Sequence, residues 1–233
     1  HDAWRTPEPN MTYQPPELLN IADYFLAARV REGRGERVAI RTTSGTLTYR
    51  EVQRLANRYA HLLAGHGVEV EQRVLIALPD GPDYVGALFG TLKRGAVVVM
   101  ANPSQDAADL AVLLDYTRVR AVVTDQAHAA VFREAAVTAP HLRGVIVVGE
   151  EGWRERFDAL PAGYENARTH RDDPAIWLFS GGTTGRPKAV VQTHRSFAYT
   201  NDCYARQVIG YSQDDVTMSV PKLYFGYATG SNL

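Results

Sequence analysis

Between Phe179 and His194 the chain reads FSGGTTGRPKAVVQTH: three glycines, two adjacent threonines, an arginine, a proline and a lysine between apolar runs. Gly181, Gly182 and Gly185 accept positive φ and let a ligand approach the main chain. Bare amides in such a bend form a nest for an anion. Ser180, Thr183 and Thr184 add hydroxyl donors, Pro187 restricts the exit of the loop, and Lys188 supplies a mobile positive charge with Arg186 as a second. The chemistry on offer is a grip on phosphate. Glycine, threonine and proline also mark ordinary hairpin turns, and the residues alone leave both readings open. Two better-known loops are excluded. A Walker loop needs a lysine directly after glycine and before Ser/Thr, whereas Arg186 and Pro187 intervene here and Ala189 follows. The glycine spacing is also wrong for a dinucleotide fingerprint.

A second chemistry-bearing stretch is PKLYFGYATGSNL, from Pro221 to Leu233. Gly226 and Gly230 can let a flat ring lie against the backbone, with Tyr224, Phe225 and Tyr227 beside it. The alternative is a routine aromatic core segment. His66, His128, His141 and His170 are scattered without metal-ligand spacing. No metal site is assigned. Cys203, in NDCYARQ, has no acid–base partner near it in sequence and reads as a structural thiol.

These stretches must be held by a scaffold, and helical and extended patterns alternate along the chain. LLNIADYFLAARVRE predicts a first helix and RVAIRT a strand. Thr48 and Glu51 form a capping box before the next helix, with Leu47 and Val52 as its hydrophobic staple. Val52, Leu55, Tyr59, Leu62 and Leu63 fall on one face, and Gly65 or Gly67 ends the helix. RVLIALP is a nearly continuous apolar run, as expected of a strand covered on both faces. Pro82 suits the first turn of a short helix, Lys93 and Arg94 its last turn, and Gly95 its stop. AVVVMANP, RAVVTD and GVIVVGE are further strands. Ser104 is the expected cap of a helix over QDAADLAVLLDYTR, and another helix lies around Ala127 to Val137. WRERFDALPAGYENARTHRDDP is polar and reads as an irregular surface wrap before the strand AIWLFS. His194 and Arg195 open a helix after the loop, with a structural role expected for His194. The predicted fold is α/β, layered, with mostly parallel doubly wound sheets flanked by helices. Sites in such sheets lie beyond the carboxyl ends of the strands.

SGGTTGRPKAVV closely resembles the phosphate loop of the adenylate-forming superfamily: acyl- and aryl-CoA synthetases, luciferases and the adenylation domains of peptide synthetases. The match spans Ser180 to Ala189. Gly181 stands where serine is commoner and Ala189 where glycine is commoner. LTYREV, LKRGAVVVMANP and PKLYFGYATGSNL resemble further family segments in family order. The last is similar to the acid-pocket segment of benzoate-CoA ligase-like members. The likeness runs from about residue 18 onward. It implies the N-terminal portion of the large domain of an adenylate-forming enzyme. It further implies ATP-driven activation of a carboxylic acid as acyl-adenylate, followed by transfer to the thiol of coenzyme A. Mg²⁺ neutralises the triphosphate in that chemistry.

Carried over residue by residue, Ser180, Gly181, Gly182, Thr183, Thr184, Gly185 and Lys188 bind ATP phosphates, and Lys188 is the catalytic cation. Tyr224, Phe225, Gly226 and Tyr227 form the acid pocket. Peptide-synthetase domains for α-amino acids place an aspartate where Gly226 stands, so an acid without a nearby ammonium is expected, benzoate-like first. Two alternatives are kept: a loading domain that passes an aryl or short acyl group to a carrier protein, and a non-catalytic nucleotide-binding module.

The bulk properties suit this reading. The chain has 233 residues, 45% hydrophobic and 22% charged, with a formal net charge of -1. Such a balance gives no electrostatic pull toward nucleic acid or an anionic membrane. One cysteine cannot form an internal disulfide, which favours a reducing, cytoplasmic setting. No apolar run approaches the length of a membrane span. Residues 1–17 are expected to be an irregular segment or an artificial remnant. Residues 18–233 are expected to be an incomplete large domain without the small C-terminal domain. The chain alone is therefore expected to turn over little or nothing.

Overall fold

The computed structural model of the chain describes residues 13–180 and 188–232. Its centre is a six-stranded sheet in the order β6-β5-β3-β4-β7-β8. The members are β3 (Arg73–Ala77), β4 (Val97–Met100), β5 (Ala121–Asp125), β6 (Gly144–Val148), β7 (Pro174–Ser180) and β8 (Lys188–Thr193). Every neighbouring pair is parallel except β7 with β8, which is antiparallel. The mostly parallel α/β sheet expected from the apolar runs is what the structure contains.

Burial on both faces explains those runs. Val74, Ile76, Val98, Met100 and Ile176 point into one cluster, and Leu75, Ala77, Val99 and Val122 into the other. The first cluster is covered by α1 (Tyr49–Gly65) and α2 (Pro82–Lys93), the second by α3 (Ala107–Thr117) and α4 (Ala129–Ala136). The α1–α2 contact depends on glycine at two places. A Cβ on Gly90 would lie 2.5 Å from Tyr59 Cβ and 2.8 Å from the carbonyl oxygen of Ala56. A Cβ on Gly86 would meet Leu55 at 2.6 Å. The two helices touch through bare backbone.

Local chemistry starts and stops these elements much as the residues suggest. Thr48 Oγ1 accepts from the Glu51 amide at 3.2 Å, and the Glu51 carboxylate accepts from the Thr48 amide at 2.7 Å. Gly67 follows α1 at φ +68 and Gly95 follows α2 at φ +72, left-handed positions that suit glycine.

Four details depart from expectation. The helical run after residue 20 contains two π-helical stretches, Asp23–Ala27 and Val30–Arg34. A small hairpin, β1 (Val38–Thr42) with β2 (Gly45–Thr48), precedes α1; β2 is too short and polar to show periodicity. The cap of α3 is Asp106, whose carboxylate accepts from the Asp109 amide at 2.8 Å, while the Ser104 amide donates to Asn102 Oδ1. The polar wrap begins with a helix, α5 (Trp153–Asp158), because Trp153 and Phe157 stack at 4.9 Å and Phe157 lies 4.7 Å from Tyr59. Among the described residues, no helix is long and apolar enough to cross a membrane.

Candidate functional site

The connection leaving β4 runs back toward β5, whereas the chain leaving β7 runs outward to β8. Loops at the carboxyl ends of these two neighbours therefore diverge. A crevice outside diverging strand ends is where ligands bind in open α/β sheets. Ser180 and Lys188, the residues that flank the glycine-rich stretch, stand there. Ser180 ends β7 and pairs in register with Lys188, the first residue of β8. The glycine-rich stretch thus joins two antiparallel strands at the carboxyl edge of a mostly parallel sheet. Gly181, Gly182, Thr183, Thr184 and Gly185, with Arg186 and Pro187, lie outside the described residues. Lys188 itself is exposed, so its ammonium stands in solvent at the foot of the loop.

The hairpin is braced from behind. β8 leads into α6 (His194–Tyr199), and His194 is buried at 1% exposure. Its Nδ1 accepts from the Ile21 amide at 3.2 Å, and its own amide donates to Asp173 O at 3.3 Å. Burial pushes its pKa down to about 4, with Asp173 partly offsetting the shift. The imidazole is therefore neutral, and accepting a hydrogen bond at Nδ1 requires that form. This residue ties the N-terminal helical run to the base of the hairpin, the structural role expected of it.

The second predicted site segment rests on the same strand ends. Gly226 opens α7 (Gly226–Asn232), and a Cβ there would lie 2.9 Å from Leu178 Cδ1. Leu178 is two residues before Ser180 in β7, and its register partner is Val190 in β8. Thr229 Oγ1 stands 3.4 Å from Sδ of Met100, the last residue of β4. The segment thus lies over the carboxyl ends of both β4 and β7. Tyr224 is half-buried against the core and tilts against Phe225 with centroids 4.7 Å apart. Phe225 is 51% exposed and Tyr227 76%. These two present aromatic surface outward, while Gly226 lets the turn settle on Leu178.

Behind the segment lies a cavity of ≈ 450 Å³, with Phe25, Ile40, Tyr84, Leu88, Asp80 and Thr229 among its walls. The Tyr84 hydroxyl is buried there with no hydrogen-bond partner. Burial and the nearby Asp80 carboxylate push its pKa up, so it remains a protonated donor.

Sequence reasoning missed one buried charge. Lys93, expected only as a last-turn residue of α2, is 1% exposed. Its Nζ donates to Asn166 Oδ1 at 2.7 Å. Burial pushes its pKa down to about 8, with Asp23 acting in the opposite direction. Asp23 in turn holds Arg31 through both carboxylate oxygens at 2.7 Å and accepts from Asn166. A lysine that closes a helix on the protein side rather than the solvent side leaves no local signature. Among the described residues, no group of three histidine, cysteine or acidic side chains could hold a metal ion.

Comparison with known proteins agrees with this geometry. Residues 26–233 match the family model for AMP-binding enzymes. A 3-hydroxybenzoate–CoA/4-hydroxybenzoate–CoA ligase of Thauera aromatica is 32% identical over 227 residues, covering 94% of this chain and 43% of that protein. A 4-hydroxybenzoate–CoA/benzoate–CoA ligase of Rhodopseudomonas palustris is 35% identical over 222 residues, covering 93% and 41%. The crystal structure of a benzoate CoA ligase from Burkholderia xenovorans superposes with a TM-score of 0.81 at 31% identity, covering 92% of this chain and 42% of that one. The chain belongs to the AMP-binding enzyme family. It spans about four tenths of the length of these relatives.

Proposed function

We propose that the protein carrying this chain is an AMP-forming ligase. It activates a benzoate-like carboxylic acid with ATP and passes the acyl group to the thiol of coenzyme A. The observation that carries the reading is the shared footing of two segments. Lys188 pairs with Ser180 at the end of β7, and the aromatic turn rests on Leu178 of the same strand. This shared footing supports assigning a nucleotide grip and a surface for a flat ring to one crevice. The names of the aligned relatives, hydroxybenzoate and benzoate CoA ligases, support a benzoate-like substrate and coenzyme A as acceptor.

The difficulty of the reaction is electrostatic, because a carboxylate must attack the α-phosphate of a polyanion. Donors and cations fixed beside the phosphates reduce that repulsion and hold pyrophosphate as it leaves. We assign the cationic part to Lys188, a compact, mobile charge suited to terminal phosphates. Hydroxyl and amide donation falls to Ser180 through Gly185. Phe225 and Tyr227 supply the apolar face for the ring, and Gly226 leaves no carboxylate to pair with an amino-acid ammonium. Magnesium would enter with the triphosphate and neutralise part of its charge. We further assign residues 18–233 to the large domain of the enzyme, with the small domain supplied by additional chain. A cytoplasmic location fits the single cysteine.

The test is ATP–pyrophosphate exchange by the intact enzyme over a panel of carboxylic acids. Benzoate and hydroxybenzoates are expected to support exchange, and Lys188→Ala to lower it by about 10²- to 10³-fold, the usual effect of removing one transition-state charge partner. Exchange that is indifferent to Lys188→Ala refutes the nucleotide grip. Acyl transfer to a carrier protein but not to coenzyme A would move the assignment to a loading enzyme.

A further inference from the structure

The aromatic turn has no regular secondary structure before Gly226, so side chains must fix its course. Leu223 is held at both of its main-chain polar groups. Its amide donates to Asp80 Oδ1 at 2.8 Å, and its carbonyl accepts from Thr229 Oγ1 at 2.5 Å. The Phe225 amide donates to Lys222 O at 2.9 Å and closes the turn. Thr229 lies within the segment, six residues on. Asp80 is 143 residues away in sequence, in the connection between β3 and α2. It ties the turn to the β3–α2 connection by a hydrogen bond, beside the contacts of Gly226 with Leu178 and of Thr229 with Met100.

We propose that Asp80 is a positioning residue for the acid pocket. Its carboxylate fixes where Tyr224–Tyr227 stands over the ends of β4 and β7, and so governs affinity for the acid without touching it. The proposal rests on the reading of Tyr224–Tyr227 as the acid pocket. The hydrogen bond carries the effect, not the ion pair. An amide donating to a carboxylate is a charge-assisted bond with defined geometry. The Asp80–Lys222 approach is 3.8 Å, between side chains that are 36% and 60% exposed, and exposed pairs contribute little. Losing the anchor shifts the turn and the aromatic faces it carries, whereas Lys188 is held separately by its pairing with Ser180 in the β7–β8 ladder. The signature is therefore a split between the two substrates.

In the intact enzyme, with acid and ATP varied separately in the exchange assay, Asp80→Ala is expected to raise the KM for the aromatic acid about tenfold or more, the usual effect of a lost hydrogen bond to a charged group. The KM for ATP is expected to stay within about twofold on the same grounds. Asp80→Asn keeps an oxygen acceptor for Leu223 and is expected to restore most of the acid affinity, and Lys222→Ala to leave both values unchanged. Equal changes in both KM values, or an Asp80→Asn enzyme as impaired as Asp80→Ala, would overturn the proposal. Amide hydrogen exchange separates this outcome from failure of the functional reading. If the unmutated enzyme uses no aromatic acid, the assignment of the pocket is what fails. The anchor is then judged by faster exchange in the peptide spanning residues 221–227 of Asp80→Ala, with the β3 and β4 peptides unchanged. No such increase would overturn the anchor itself.

Discussion

The α1–α2 body and the stretch from Thr200 to Asn232 are built on opposite terms. In the body, helices meet the sheet and each other at backbone distance, and Tyr59, Leu63, Leu75, Ile76 and Leu92 are fully buried. In the later stretch, the π-helical segment Thr200–Ile209 buries none of its residues, and Val216, Met218 and Val220 are 71% to 92% exposed. Only Ala228 and Thr229 of α7 are buried. The body is close-packed and intolerant of added volume. The stretch that carries the aromatic turn is attached at scattered points, among them Asp80 to Leu223, Leu178 to Gly226, Met100 to Thr229, and Arg37 to Gln213 and Asp214. On the proposed reading, the first region is the firm frame and the second the lightly held wall against which a ring would lie.

The same substitution made in each region tests this contrast most severely. Gly90→Ala forces a methyl group against Tyr59 Cβ and the Ala56 carbonyl, and neither neighbour is the free end of a flexible side chain. It is expected to destabilise the fold by about 3 kcal/mol or more, at the upper end of overpacking effects. Gly230→Ala in α7 meets nothing within 4 Å and is expected to be neutral or to stabilise by up to about 1 kcal/mol through helix propensity. Urea unfolding followed by circular dichroism would check both, and comparable losses would erase the distinction.

Next in size is the seam between frame and hairpin at His194. Its folded-state pKa of about 4 lies below its ordinary value of 6.5, so the unfolded chain binds more protons between those two values. Stability from the neutral imidazole is present above pH 6.5 and is lost as the pH falls toward 4. The loss attributable to this residue is about 3 kcal/mol, at 1.36 kcal/mol per pH unit. His194→Asn retains an acceptor for the Ile21 amide without titrating, and is expected to flatten stability between pH 6.5 and 4 relative to the unmutated chain. An unchanged acid profile would show that Asp23, whose pKa is lowered chiefly by the Arg31 hydrogen bond, and other carboxylates govern that arm instead.

The smallest expected effect lies at the edge of the body. Thr48→Ala removes the side-chain half of the capping box of α1 and is expected to cost about 1 kcal/mol, read as a lower thermal midpoint. A much larger loss would mean that the β1–β2 hairpin, whose last residue is Thr48, depends on the same hydroxyl.

Much of the frame was legible because its causes are local. Strands buried on both faces read as unbroken runs of valine, isoleucine and leucine, and the capping box of α1 needs only four adjacent residues. The features that escaped are produced by distant contacts. α5 forms because Trp153 and Phe157 find Tyr59, almost a hundred residues earlier. Lys93 is buried because the chain returns at Asn166 and Asp23 to receive it. Asp80 stands between Pro79 and Gly81, and nothing near it in sequence announces Leu223. At the site, Lys188 and the aromatic turn were legible as motifs. The reason for Gly226 was only half legible: a flat ligand would suit a glycine there, but the atom already waiting at that position is Leu178 Cδ1.

One leucine side chain thus stands between the two halves of the crevice. Leu178 faces the turn at Gly226, and its strand ends two residues on at Ser180, which pairs with Lys188. A larger residue at 226 meets Leu178 Cδ1 at 2.9 Å, the tip of a flexible side chain, before it meets any backbone. On the proposed reading, a variant selected at residue 226 for a new acid therefore bears first on this leucine, and only through it on the strand that ends at Ser180.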